Sequence, residues 1–279
     1  MVLDDFSRGS ESNLKGLEGK ARVVRGDVRD PSAVEKAARD VEGVVHLAAL
    51  IDVAESVEKP DLYFDVNVRG TLNVLESVRS AEVFVFASSA AVYGNPVKLP
   101  IAEDHPLRPL SPYGATKVAG EALVHAYADA RGFRPVVLRL FNVYGPKQSR
   151  AYAGVVTEFL RRALKGEPPL IYGDGAQSRD FVFVDDAVEY FVRALRMENV
   201  RGVYNVGSGK AVSVLELAEL VAKVLGKPEL KPVHAPPRLG DIKHSVADIS
   251  RAVRDFGYRP KVALEEGLKV MAETFAAEL

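Results

Sequence analysis

The chain has 279 residues, a formal net charge of −1, and neither cysteine nor tryptophan. Such a length can bury a substantial core in one large domain or two unequal ones. Near-zero charge without a long basic run argues against nucleic-acid binding, no apolar run of about 18 residues could span a membrane, and no secretory signal pattern opens the chain. The absence of cysteine excludes disulfides and thiolate metal sites and fits a cytoplasmic protein.

Ala21-Arg-Val-Val-Arg25 predicts a short strand, ended by Gly26-Asp27, and a polar helix follows from Pro31. Gly43-Val-Val-His-Leu-Ala-Ala49 predicts a second strand, followed by a helix over about 62–79. Glu82-Val-Phe-Val-Phe-Ala-Ser-Ser89 is apolar and then abruptly hydroxylic, the pattern of a buried parallel strand. Ser111-Pro-Tyr113 opens the next helix, with Ser111 as N-cap and Pro112 in the first turn. Pro135-Val-Val-Leu-Arg-Leu-Phe141 predicts another strand. Strands separated by helix-length segments imply an α/β fold with a doubly wound parallel sheet. After Tyr144-Gly-Pro146, helices near 155–165, 184–196 and 214–225 alternate with short strands and the Pro-rich segments Pro168-Pro169 and Pro236-Pro237. The expected division is a larger domain over 1–150 and a smaller α/β domain over 151–279, with about 180–200 packing back on the first.

The chemistry concentrates in Tyr113-Gly-Ala-Thr-Lys117 and in Ser88-Ser89 upstream. A Tyr and a Lys four residues apart share one helix face. An isolated phenol titrates near ~10, and a neighbouring ammonium draws it toward neutral pH, where a phenolate can accept a proton. Ser89 ends a strand where open α/β sheets hold their ligands, and can share the proton with a substrate alcohol. Together these residues can oxidise a secondary alcohol by proton removal coupled to hydride loss. The plainer alternative is that the serines end a strand and Tyr113 packs. None of the five His residues pairs at metal-ligand spacing, and His46 reads as a packed core residue. Asp185-Asp186 reads as a helix cap placed favourably against the dipole.

Many ordered motifs run the length of the chain: Gly26-Asp27-Val28, His46-Leu-Ala-Ala49, Asn67-Val-Arg-Gly-Thr71, Ser88-Ser-Ala-Ala-Val-Tyr-Gly94 and Tyr113-Gly-Ala-Thr-Lys117. Phe141-Asn-Val-Tyr-Gly-Pro146, Gly173-Asp-Gly175, Arg179-Asp-Phe181, Tyr204-Asn-Val-Gly207 and Arg238-Leu-Gly-Asp241 continue the series. With them the chain resembles the extended short-chain dehydrogenase/reductase superfamily and, within it, the nucleotide-sugar 4-epimerases that act on UDP-glucose and UDP-galactose. The resemblance implies a Rossmann-type domain that holds NAD. Asp4 would bind the adenine ribose hydroxyls, a carboxylate there favouring NAD over NADP. Asp27 and Val28 would flank the adenine, and Leu47, Ala48 and Ala49 would line the nicotinamide side. Asn67 would cap or position the cofactor loop, and Lys117 would bond the nicotinamide ribose while lowering the Tyr113 pKa. Without the resemblance, Asp4 reads as the start of a turn and Asn67 as a cap of its own helix.

Related dehydratases and decarboxylases carry a carboxylate just after the catalytic hydroxyl. Ser88-Ser-Ala-Ala-Val-Tyr93 has none, which leaves oxidation at C4 and return of the hydride to the other face of a 4-keto sugar. The resemblance implies that Arg179 and Arg238 anchor the UDP-sugar diphosphate, since a guanidinium fork suits phosphate oxygens. Asp241 would bond the uridine ribose, and Asn142 a phosphate or the sugar. Ser245 would stand at the position that decides whether an N-acetyl group fits beside C2. Plainer readings are an ion pair of Arg179 with Asp180 or Asp185, and a simple turn at 238–241. The resemblance also implies a homodimer built on helices 62–79 and 113–131, which carry apolar residues on more than one face.

No G-x-x-G-x-x-G turn occurs in the chain, and Gly202 with Gly207-Ser-Gly209 lacks the spacing. Met1-Val-Leu-Asp4 already corresponds to the end of the family's second strand. The expectation is a start within a longer reading frame, about 30 residues short of the full βαβ unit. The alternative is a genuinely shorter protein with weak or absent NAD binding. Either way the strands near Leu3 and Val23 would lack the neighbour that links them to the strand near Val45, leaving exposed edges. Two further functions stay open: an NAD-dependent nucleotide-sugar dehydrogenase or reductase, and a non-catalytic nucleotide-sugar binder.

Overall fold

A computed structural model describes residues 1–149, 154–237 and 242–277. They divide into two compact units, each discontinuous in sequence. The first holds residues 1–94, 107–139 and 193–203, and the second 95–106, 140–192 and 204–279. The sequence reading sets a boundary at 150 with about 180–200 packing back on the first domain; in these units the chain leaves the first over 95–106 and again after Arg139, and returns to it over 193–203.

The first unit begins with β1 (Val2–Asp4), β2 (Val23–Arg25), α1 (Pro31–Ala38) and β3 (Gly43–His46). It continues with α2 (Val53–Glu58), α3 (Pro60–Phe64), one π-helical turn over Asp65–Arg69, and α4 (Gly70–Ser77). β4 (Val83–Ser89), α5 (Pro112–Arg131) and β5 (Arg134–Leu140) follow. β1 pairs with β2 in parallel, Val2 opposite Val23, as a two-stranded sheet of its own. A second sheet runs β3-β4-β5, with β3 parallel to β4 and Gly43 opposite Val83. Between β1 and β3 lies a cleft of about 680 Å³, walled by residues of both strands. Among the described residues no strand crosses it, so two sheet edges face one space.

Helix α5 settles on β4 for reasons visible in its sequence. Ser111 accepts a bond from the Gly114 amide as N-cap, Pro112 occupies the first turn, and Gly132 ends the helix at φ 80°. Caps of this kind contribute about 1 kcal/mol. Its buried positions include Tyr113, Lys117, Gly120, Glu121, Val124 and Ala128, the spacing of one helix face. A methyl at Gly120 would lie 2.5 Å from the Phe86 ring, so only glycine lets the helix approach the strand this closely. Phe84, Phe86, Leu75, Val124 and Val137 form the core beneath.

The second unit contains β6 (Asn142–Tyr144), α6 (Val155–Leu164), β7 (Leu170–Tyr172) and β8 (Ser178–Phe183). α7 (Val184–Arg196) and β9 (Gly202–Val206) start in one unit and end in the other. β10 (Ala211–Ser213), α8 (Val214–Val224), β11 (Val233–Ala235), α9 (Ser250–Phe256) and α10 (Leu264–Ala276) complete it. β8 lies between β6, parallel to it, and β10, antiparallel to it, while β7 and β11 form a parallel pair. Phe159, Leu160, Leu217, Val221, Leu268 and Met271 build its core. Asp186, read from sequence as a cap, is buried and accepts bonds from the Tyr258 hydroxyl and the amides of Lys261 and Val262. It is therefore a tertiary tie across 72 or more positions of sequence rather than only a local cap. Among the described residues no helix is long and apolar enough to cross a membrane.

Candidate active site

In the first unit, the end of β4 delivers Ser88 and Ser89 in opposite senses, as the alternation of a strand requires. Ser88 is buried and its hydroxyl donates to Glu121. Ser89 leaves the sheet into a short 3-10 turn, where its hydroxyl accepts from the Ala91 amide at 3.2 Å. The first turn of α5 abuts that same turn: a methyl at Gly114 would lie 2.7 Å from the Ala91 carbonyl oxygen. Ser89 and Tyr113 are thus brought to one place by a backbone approach that only glycine permits. Tyr113 packs its ring with Leu50 and Tyr63.

One turn on, Lys117 is buried and its ammonium donates to the Ala87 carbonyl at 2.8 Å, with the Phe86 ring 5.2 Å away. Burial pushes its pKa down to about 8, with Glu121 acting in the opposite direction. His46, at the end of β3, is pushed down to about 3 by burial and then by Lys117. Its Nε2 lies 2.9 Å from the Thr71 hydroxyl, which itself donates to the Asn67 carbonyl. His46 is therefore neutral and donates from Nε2, a core residue rather than an acid.

Asn67 joins this centre to the cleft. Its side-chain oxygen accepts from the Leu50 amide at 2.8 Å, and its amide group donates to the Leu50 carbonyl and the Thr116 hydroxyl. Thr116 in turn donates to the Tyr113 carbonyl at 2.7 Å. One buried amide thus fixes the segment after β3 against the turn of α5 that carries Tyr113.

The cleft brings the remaining expected cofactor residues together: Asp4, Asp27, Val28, Leu47, Ala48 and Ala49 all line it. Its size falls in the ~300–1,000 Å³ range of small-molecule sites. Asp4 ends β1, and one carboxylate oxygen accepts from the Phe6 amide at 2.7 Å. Asp27 is engaged by Arg29, whose bond holds its carboxyl below the usual range. Val28 is buried against Gly70. Leu47 is 59% exposed, an apolar side chain presented to the cleft. A carboxylate at a strand end, an apolar floor and an apolar side chain opposite suit a ribose, a base and a nicotinamide ring, so these residues fit NAD.

The expected substrate residues lie in the second unit. Asn142 donates from its side chain to the Asp180 carbonyl at 3.0 Å. Arg179 donates from Nη1 to the Ser178 carbonyl at 2.8 Å, and the amide of the buried Ser245 donates to that same oxygen at 3.1 Å. Arg179 and Ser245 therefore meet at one carbonyl. Arg238 and Asp241 lie outside the described residues.

Three buried charged groups were not expected as such: Glu121 and Arg139 went unnoticed, and Asp180 was read only as an ion-pair partner for Arg179. Asp180 is fully buried and accepts from the Ser208 amide and hydroxyl and from the amides of Gly209 and Ala247. Burial raises its pKa against those bonds. Glu121 and Arg139 form a bidentate pair at 2.9 and 2.7 Å. Glu121 follows Lys117 by one helical turn, a signal the sequence did carry; the others depend on strand pairing. Among the described residues no group of three or more His, Asp or Glu side chains is placed to hold a metal ion.

An α/β nucleotide-binding fold with Ser89, Tyr113 and Lys117 around the end of β4 defines the class. The pattern of the "NAD dependent epimerase/dehydratase family" matches residues 3–207. A UDP-glucose 4-epimerase of Mycolicibacterium smegmatis is 40% identical over 280 residues, covering 98% of this chain and 89% of its own. The UDP-glucose 4-epimerase of Thermus thermophilus, solved as a complex with NAD, superposes with a TM-score of 0.90 at 38% identity, covering 100% of this chain and 91% of its own. The UDP-N-acetylglucosamine 4-epimerase of Methanobrevibacter ruminantium, solved with UDP-N-acetylmuramic acid, gives 0.94 at 33% identity over 99% and 90% of the two chains. The chain belongs to the NAD dependent epimerase/dehydratase family. Within it, the protein is UDP-glucose 4-epimerase-like, an isomerase.

Proposed function

We propose that the chain is a cytoplasmic, NAD-dependent UDP-sugar 4-epimerase that works through a 4-keto sugar. The observation that carries this reading is the meeting of Ser89, Tyr113 and Lys117 at the end of β4, tied by Asn67 to the cleft that Asp4 and Leu47 line. Tyr113 takes the C4 hydroxyl proton, Ser89 shares it, and Lys117 favours the phenolate. NAD, held by the cleft residues, would supply hydride acceptance at C4 and its return. Tyr113 then gives its proton back to the sugar oxygen, so no net reductant is consumed. Asp4 would bond the adenine ribose, Asp27 and Val28 flank the base, and Leu47, Ala48 and Ala49 line the nicotinamide side. Arg179 and Arg238 would hold the diphosphate, Asp241 the uridine ribose, and Asn142 a phosphate or the sugar.

Ser245 is small, and we assign both UDP-glucose and UDP-N-acetylglucosamine as substrates on that ground. Ser245→Tyr should remove the N-acetyl activity selectively, and an unchanged ratio of the two kcat/KM values would overturn the assignment. Exposed Val53 and Val57 on α2 and Phe64 on α3 support a homodimer, which sedimentation at micromolar concentration checks. The central test is Tyr113→Phe with both UDP-sugars. Turnover should be lost while UDP-sugar binding stays near wild type, and full activity would sink the mechanism. Net accumulation of NADH by the wild type would instead identify a dehydrogenase.

A further inference from the structure

Glu121 and Arg139 are each 4% exposed. Glu121 Oε1 accepts from Arg139 Nε at 2.9 Å and from the Ser88 hydroxyl at 2.5 Å, and Oε2 accepts from Arg139 Nη2 at 2.7 Å. Arg139 Nη1 donates to the Tyr93 hydroxyl at 3.0 Å, and the guanidinium lies 4.9 Å over that ring. Buried ion pairs of this kind seldom stabilise a fold more than an apolar replacement of the same volume would. Stability alone therefore does not account for the pair, and none of its groups takes part in the proton transfer assigned above.

The ends of these bonds are informative. Ser88 immediately precedes Ser89. Tyr93 closes the 3-10 turn that Ser89 opens. Glu121 lies one turn beyond Lys117 on α5. Arg139, from β5, binds to all of them directly or through Glu121. We propose that Glu121 and Arg139 are positioning residues for the reaction centre: they lock the Ser88–Ser89 strand end to the α5 turn bearing Lys117, and Glu121 is the counter-charge of that lysine. The kinetic part of this inference rests on the epimerase reading; the electrostatic part does not.

Lys117 faces Tyr113 and Glu121 on its own helix, His46 from β3, the Ala87 carbonyl and Phe86 ring from β4, and Arg139 from β5 through Glu121. His46 is neutral and Arg139 is positive, held above its ordinary value because the bonds to Glu121 and Tyr93 outweigh burial. Glu121 is the anion that acts on Lys117. Removing its charge takes away the anion that favours the ammonium, and Lys117 must release its proton more readily.

The test is an NMR titration of ε-13C-lysine in the whole protein, with the Lys117 signal assigned by its loss in Lys117→Arg. Glu121→Gln should move the midpoint from about 8 to about 7 or below, a tenfold loss of proton affinity. The double variant Glu121→Gln/Arg139→Met replaces the guanidinium as well and should melt near wild type, yet keep the low midpoint. In both, kcat for the UDP-sugar should fall at least tenfold with little change in KM, and the alkaline limb of its pH profile should move down. An unmoved midpoint, or wild-type kcat in the double variant, would show that the pair is only structural. Should Glu121→Gln fail to fold, the double variant decides alone. A wild type that titrates as described but epimerises nothing would refute the proposed function and leave the counter-charge role standing.

Discussion

The ground beneath α5 and the cleft beside β3 belong to the same unit and are built in opposite ways. Beneath α5, Lys117, Glu121, Arg139, Ser88 and Asn67 are all buried, and each polar group ends on a named partner within 3.0 Å. At the cleft, Asp4 accepts from the amide two residues on, Asp27 holds a half-exposed arginine, and Leu47 offers most of its side chain to open space. The difference teaches how the work is divided. Proton chemistry needs groups fixed to a fraction of an ångström, so the fold itself holds them. Ligand recognition can leave polar groups to be satisfied by the ligand.

The contrast is broken most directly at Gly120. Gly120→Leu must push α5 off Phe86, and overpacking of this kind costs ~1–3 kcal/mol or more. Chemical denaturation should show that loss, together with a collapse of kcat, because the helix that moves carries both Tyr113 and Lys117.

Lys117 gives the next effect, and its sign is definite. Its folded pKa is about 8 against an ordinary 10.5, so between those values the unfolded chain binds more protons than the native one. Burial of the ammonium therefore costs stability fully below about pH 8, and the cost fades as pH rises toward 10.5. Between pH 7 and pH 10 the slope sums to roughly 2–3 kcal/mol of the ~3.5 kcal/mol that the whole shift from 10.5 to about 8 represents. Lys117→Met should lack this rise in a comparison of unfolding free energy at pH 7 and pH 10, and parallel curves for the two proteins would contradict the burial argument.

At the cleft the effects should be smaller and should appear in binding rather than in folding. Asp4→Asn replaces charged acceptors by weaker ones, a difference of about 1–2 kcal/mol, or roughly five- to thirtyfold in NAD affinity by calorimetry. The preference over NADP should narrow by a similar factor, while the melting temperature stays put. Smallest of all is Arg29→Ala. Its pair with Asp27 is solvent-exposed, and such pairs contribute about 0.2–1 kcal/mol, so thermal unfolding should shift by no more than a few degrees. A large loss there would mean the cleft is as rigidly built as the interior.

What the sequence disclosed follows from the range of the interactions. Tyr113 and Lys117 share a helix face and Ser111 caps that helix, so spacing alone places them. Ser89 and Asp4 end strands, where an apolar run stops. The helix expected over 62–79 proved to be two helices joined by a π-helical turn, and α2, α9 and α10 escaped notice. Their burial depends on partners far along the chain, which periodicity within a short window does not report. Arg139 was hidden for the same reason. On a strand it alternates with apolar neighbours like any outward-facing charge, and only the closing of β5 on α5 turns it inward. Asp180 was weighed as an ion-pair partner for Arg179, whereas its carboxylate gathers amides from Ser208, Gly209 and Ala247.

The π-helical turn over Asp65–Arg69 has a consequence for how this chain can vary in length. Such a turn holds one residue more than an α-helical turn, and one residue corresponds to about 100° of rotation about the helix axis. The turn therefore acts as a phase shifter between two docking faces. Before and within it, Tyr63 and Asn67 meet Leu50; after it, Gly70 and Val74 meet the Val28 side of the core. Deleting a single residue here would restore regular winding and better local hydrogen bonds, yet leave one face turned away from its partner. Most of the exposed segment over 7–22 can lose or gain a residue without changing any other element's heading, but this turn cannot.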